Sequence, residues 1–138
     1  MLSSTPILLT AVLLLVASQL PIVAAGISKS GTFRSKENRY DNNEPRLWLE
    51  RQTDPRRRRA NAAQANSFEA LPFLFAAALF ALFAHAPLAL INSLLAGWLV
   101  LRAVYLWCYV NDKATLRSLV WTFALVLNIA LLFAPFYG

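Results

Sequence analysis

Residues 60–84 read "ANAAQANSFEALPFLFAAALFALFA", a run in which Glu69 is the one charged side chain. Wound as a helix at ~1.5 Å per residue, such a stretch is long enough to cross ~30 Å of hydrocarbon. A membrane β-barrel would need segments of about ten residues with period two, and "LPFLFAAALFALFAHAPLALI" (71–91) does not alternate. The stretch therefore predicts a membrane-spanning helix. Working outward, three more apolar segments of similar length emerge, so that spans are expected at about 4–27, 60–84, 86–110 and 115–136. The chain is read as one all-α domain over residues 1–138, a four-helix transmembrane bundle with a basic loop at 28–59. Its composition agrees: 58% of residues are hydrophobic, 14% are charged and the mean hydropathy is +0.49, which is too apolar for an ordinary soluble domain.

The first span is expected to be a retained helix, because "LSSTP" (2–6) lacks the positive flank of a signal peptide. Pro6 suits a first helical turn, and Pro21 is expected to kink or loosen the later part. The net charge of +6 points to nucleic acid only until the charges are located. Ten of the thirteen Lys and Arg residues lie between Lys29 and Arg59, with Glu37, Asp41, Glu44, Glu50 and Asp54 among them. That is a topology signal. A loop rich in Lys and Arg stays cytoplasmic, and Lys113 and Arg117 point the same way, so both termini and the turn at His85–Pro87 are expected outside. "RRRR" (56–59) can also meet anionic headgroups, and "RLWLE" (46–50) can lie at the interface through Leu47, Trp48 and Leu49. His85 reads as a solvated turn residue, Cys108 as a small packing residue, and Asn128 as an interhelical hydrogen-bonding group. One His and one Cys do not make a metal site.

Topology turns position into depth. Counted from Arg59, Asn66 and Glu69 lie ~10 and ~15 Å along the second span, and Arg102, counted back from Asn111, lies at a similar depth. Ala62, Asn66, Glu69 and Phe73 share one helical stripe with Arg59, while Trp98, Arg102, Tyr105 and Tyr109 share another. An unpaired charge at that depth costs about 2.5–3.5 kcal/mol or more. Glu69 is therefore expected to pair with Arg102, within a subunit or between two. Such a pair can serve a ligand, or can simply fix helix register and assembly.

At "RRANAAQANSFEALPFLF" and "LRAVYLWCYVNDKATLRSLVW" the chain resembles the membrane-associated proteins in eicosanoid and glutathione metabolism, the MAPEG family, and its small bacterial members in particular. The carrying motif is Asn66, Glu69 and Pro72, followed by Arg102, Tyr105 and Tyr109. The resemblance implies a homotrimeric four-helix bundle in the bacterial inner membrane, with glutathione held between subunits near the cytoplasmic face. It also implies a glutathione-dependent transferase or peroxidase acting on lipophilic electrophiles or lipid hydroperoxides. The implied binding set is Arg59, Asn66, Glu69, Arg102, Tyr105 and Tyr109, with Arg117 as the cation that stabilises the thiolate. Two positions depart from the family pattern. Ala62 stands where glutathione-using members commonly carry Arg, and Arg117 follows Tyr109 by eight residues where seven is common. The residues themselves leave open a non-catalytic lipid-binding or scaffolding protein whose buried polar groups hold the trimer together. Intramembrane charge also fits a transporter, although no paired broken helices surround a midplane site.

Overall fold

The computed structural model describes residues 4–138 and is helical throughout its ordered elements. Four long helices, α1 (Ser4–Lys29), α3 (Pro55–Phe83), α4 (Leu88–Val110) and α5 (Ala114–Tyr137), each carry the length and hydropathy of a membrane span. A short helix, α2 (Pro45–Glu50), lies in the α1–α3 connection. The chain runs up and down, so the end of α1, the start of α3, the end of α4 and the start of α5 meet at one basic end of the bundle. α3 packs against α1, α4 and α5, and α4 packs against α1 and α5.

Small residues make these contacts close. Ala17 of α1 and Ala60, Ala63, Ala77, Ala78 and Ala81 of α3 are completely buried. In lipid, where apolar surface gains little from leaving its solvent, such backbone-to-backbone proximity supplies the dispersion contacts that hold helices together. Leu74, Ile91, Leu95, Trp98 and Leu131 fill the centre. Large apolar side chains such as Leu8, Leu79, Phe83, Val100 and Phe136 are left on the outside, as a bundle solvated by acyl chains requires. The helix containing Pro21 continues to Lys29, with Pro21 itself buried.

α3 begins five residues before the expected start at 60, and the arginine run belongs to its first turns. Asp54 is the N-cap, accepting from the Arg56 N–H at 3.1 Å, and Pro55 occupies the first helical position, where its missing donor is not needed. Two of the four arginines then close neighbouring helices. Arg57 Nη1 donates to the carbonyls of Ser28 (3.1 Å) and Ser30 (2.6 Å) at the end of α1. Arg59 donates through Nε (3.2 Å) and Nη2 (3.1 Å) to the Val110 carbonyl at the end of α4. Each guanidinium satisfies terminal carbonyls and places a cation at the negative end of a helix dipole. The connection of residues 30–54 is held by its own contacts. Phe33, Tyr40 and Trp48 pack edge to face, Lys29 Nζ lies 4.7 Å over the Tyr40 ring, and Asn38 bonds Gln52 at 2.6 Å. Trp48 and Leu49 point into the protein, and Leu47 is left on the surface.

The C-terminal ends of α3 and α4 share a backbone device. His85 (φ 62°) follows α3 and Asp112 (φ 58°) follows α4, each in the left-handed region. The Ala86 N–H returns to the Ala81 carbonyl and the Lys113 N–H to the Cys108 carbonyl, while His85 and Asp112 bond Leu82 and Tyr109. These are Schellman turns with His and Asp where glycine is usual. At the end opposite the arginines, Asn92 Nδ2 donates to the Pro6 carbonyl (3.0 Å), and the Thr10 hydroxyl lies 2.5 Å from Asn92 Oδ1, joining α1 to α4 in the bundle interior.

Candidate functional site between three helices

The polar stripes of α3 and α4 face each other, and α5 completes a cleft between them. The deep part, about 220 Å³, is lined by Asn66, Glu69, Phe73, Trp98, Arg102, Trp121 and Asn128. The part nearer the basic end, about 450 Å³, is lined by Asn66, Tyr105, Tyr109, Arg117, Ser118, Trp121 and Thr122. Asn66 and Trp121 border both.

Arg102 is 3% exposed, and its partner within the chain is Asn66 rather than Glu69: Nη2 donates to Asn66 Oδ1 at 2.6 Å. The Arg59–Val110 bond sets α3 and α4 level at the basic end. Asn66 lies seven residues beyond that level and Arg102 eight, so the two side chains meet ~10–12 Å further in. Glu69 comes one turn later and ~60° further round α3, which leaves it on the outer side of the cleft. Among the described residues the one ion pair is Arg57–Asp54, at 3.7 Å. The expected Glu69–Arg102 pair is thus not formed within one chain. Asn66 has taken the guanidinium's end, and Glu69 faces outward beside it.

The remaining surroundings of Arg102 are aromatic. Its guanidinium carbon lies 4.1 Å from the Tyr105 ring centre and 5.9 Å from Trp98. Tyr105 meets Tyr109 edge to face at 5.8 Å, and Arg117 sits 4.4 Å over the Tyr109 ring. Trp98, Arg102, Tyr105, Tyr109 and Arg117 therefore form a ladder of rings and cations from the interior to the mouth. Ring faces attract cations without neutralising them. Both arginines keep net positive charge available to a ligand, and Arg102 Nε is buried with no hydrogen-bond partner among the described residues.

The spacing of eight between Tyr109 and Arg117 is absorbed before α5 begins. Asn111, Asp112 and Lys113 form the turn, α5 starts at Ala114, and Arg117 occupies its first full turn with its side chain at the mouth. Within a continuous helix one extra residue would have rotated it by ~100°. Of the seven candidate residues, six line the cleft: Asn66, Glu69, Arg102, Tyr105, Tyr109 and Arg117. Arg59 does not, because its guanidinium is committed to the Val110 carbonyl. Ala62 stays on the stripe of Asn66 and Glu69, one turn nearer the basic end, and lines the neighbouring groove beside Arg58 and Asn61. Sequence reasoning left three cleft residues, Ser118, Trp121 and Thr122, out of the candidate set, and assigned Asn128 an interhelical hydrogen bond. Asn128 is 5% exposed and its Oδ1 has no hydrogen-bond partner among the described residues.

Chemically, the cleft offers fixed cations and phenol groups to an anion at its mouth, and amide and carboxylate groups further in. Among the described residues no three His, Cys, Asp or Glu side chains gather as a metal site. No curated protein and no solved structure matches the chain. The sequence model of the MAPEG family matches residues 3–137, nearly its whole length. This helical membrane protein therefore belongs to the MAPEG family.

Proposed function

We propose that the protein is a glutathione-dependent transferase or peroxidase that acts on lipophilic electrophiles or lipid hydroperoxides, working as a homotrimer in a bacterial inner membrane with its basic end in the cytoplasm. The observation that carries this reading is Arg117, a half-buried cation at the cleft mouth with no carboxylate partner among the described residues, stacked on Tyr109. A thiol with a pKa near ~8.5 is only a few per cent ionised at neutral pH, and a positive charge beside it raises that fraction. The glutathione carboxylates suit guanidinium groups, its ammonium suits Glu69, and its amides suit Asn66. The electrophile enters laterally from the acyl chains, between helices whose outer faces are apolar.

Glu69 favours assembly. A carboxylate left on the outer side of a membrane helix is costly, so it needs a partner from a ligand or a neighbouring chain, and the second supports the trimer. The same residue supports the alternative of a non-catalytic scaffold in which Glu69 serves assembly alone. Turnover separates the two. The purified protein is assayed for glutathione consumption with a lipophilic aryl halide and with a fatty-acid hydroperoxide. The enzyme reading expects turnover with one of them that falls at least tenfold in Arg117→Ala. The scaffold reading expects none, together with a less stable oligomer in Glu69→Gln.

A further inference from the structure

The cleft runs inward past Asn66 and Glu69 to an end formed by Trp98 of α4 and by Trp121 and Asn128 of α5. Two buried polar atoms there have no hydrogen-bond partner among the described residues, the Arg102 Nε donor and the Asn128 Oδ1 acceptor. Arg102 lies eight residues, ~12 Å, before the end of α4, and Asn128 lies fourteen residues, ~21 Å, after the start of α5. The side chains close that difference in depth. A helical side chain leans toward its own N-terminus, so Arg102 leans away from the basic end and Asn128 leans back toward it. A donor and an acceptor therefore converge on one cavity of about 220 Å³. Left bare at hydrocarbon depth, both are costly.

We infer that this end of the cleft is a subsite for a neutral lipid carrying a hydroxyl or hydroperoxyl group, its O–H donating to Asn128 Oδ1 and its oxygen accepting from Arg102 Nε. Charge and hydrogen-bonding capacity select the occupant. An anion would set lone pairs against Asn128 Oδ1 and against Glu69 in the same lining, and a cation would face the Arg102 guanidinium. Plain hydrocarbon would leave both atoms unpaired. Water has the right capacity, but the aromatic walls of Phe73, Trp98 and Trp121 suit a chain better. Phe73 and Trp121 keep part of their surface exposed, so a chain can enter from the side. The place of this subsite in turnover rests on the glutathione reading: a lipid hydroperoxide carries the O–H group and an aryl halide does not, which makes the first the preferred substrate class.

The test uses full-length protein in detergent without glutathione and follows tryptophan fluorescence, since Trp98 and Trp121 border the subsite. The probes are 2-bromododecanol, whose bromine quenches a nearby indole, and its methyl ether, which keeps the acceptor and lacks the donor. The wild type is expected to bind the alcohol about fivefold or more tightly than the ether, as one hydrogen bond to a buried acceptor implies, with quenching reduced in Trp121→Phe. Asn128→Leu removes the acceptor at similar volume and is expected to bind both probes alike. Equal binding of the two probes by the wild type overturns the inference and leaves both atoms to water. Quenching that Trp121→Phe does not change overturns it too, as does an alcohol preference that persists in Asn128→Leu. Hydroperoxide turnover by a wild type that does not prefer the alcohol removes the subsite and spares the glutathione reading. An alcohol preference without any turnover does the reverse.

Discussion

Replacing Arg117 with alanine removes the cation at the cleft mouth and leaves the ladder above Tyr109 intact. A unit charge ~5 Å from a thiolate, at an effective dielectric constant of ~20, stabilises the anion by about 3 kcal/mol, or a little over two units of pKa. Arg117 is half-buried, so water screens part of this and one to two units is the reasonable share. Bound glutathione should then ionise with a midpoint near ~7 in the wild type and near the free value of ~8.5 in the variant. The sign follows from the charge: the cation favours the anion, so its loss moves the midpoint up and depletes thiolate at neutral pH by about tenfold or more. The assay is a pH titration of thiolate ultraviolet absorbance with the protein in excess over glutathione. Arg117→Lys, which keeps the charge but not the planar group over Tyr109, should recover part of the shift. A bound thiol that titrates identically in wild type and Arg117→Ala would refute the electrostatic reasoning, whatever the binding constants show.

Four further substitutions probe the frame around the cleft. Arg59→Ala removes two charged donors from the Val110 carbonyl and should cost about 1–2 kcal/mol, read as a lower unfolding midpoint in detergent, while Arg58→Ala should stay within about 0.5 kcal/mol of wild type. Asn92→Ala breaks the Thr10–Asn92–Pro6 contacts between α1 and α4 and should cost about 1 kcal/mol, with ligand binding at the opposite end unaffected. His85→Gly relieves a left-handed backbone position and should raise stability by about 0.5–1 kcal/mol in the same unfolding assay.

Much of the architecture was legible because lipid imposes a one-dimensional rule: length and hydropathy mark a span, and charge marks its ends. Depth was legible too, since counting residues from Arg59 and Asn111 placed Asn66, Glu69 and Arg102 near one level. Azimuth was not. Spacing puts Asn66 and Glu69 on a common stripe, yet ~60° between them decides that the first meets Arg102 and the second faces outward. The arginine run illustrates a second limit. Its charge is visible in the sequence, but the capping by Arg57 and Arg59 depends on which helix ends lie beside α3, a tertiary fact. The eight-residue step from Tyr109 to Arg117 turns on where α4 stops, and no glycine marks that turn, because Asp112 adopts the left-handed conformation. Thr10 and Asn92 had a readable signal in polar side chains inside apolar runs, and they escaped notice beside the charged residues.

Binding of glutathione to the cleft is the claim on which the functional account depends. Calorimetric titration of the detergent-purified protein tests it directly, with Asn66→Ala, Glu69→Gln and Arg117→Ala beside the wild type and the fold of each checked by circular dichroism. The account predicts millimolar or tighter binding to the wild type and a loss of at least several-fold in each variant. A folded wild type that takes up no glutathione would contradict it, and would leave the polar stripes of α3 and α4 to assembly.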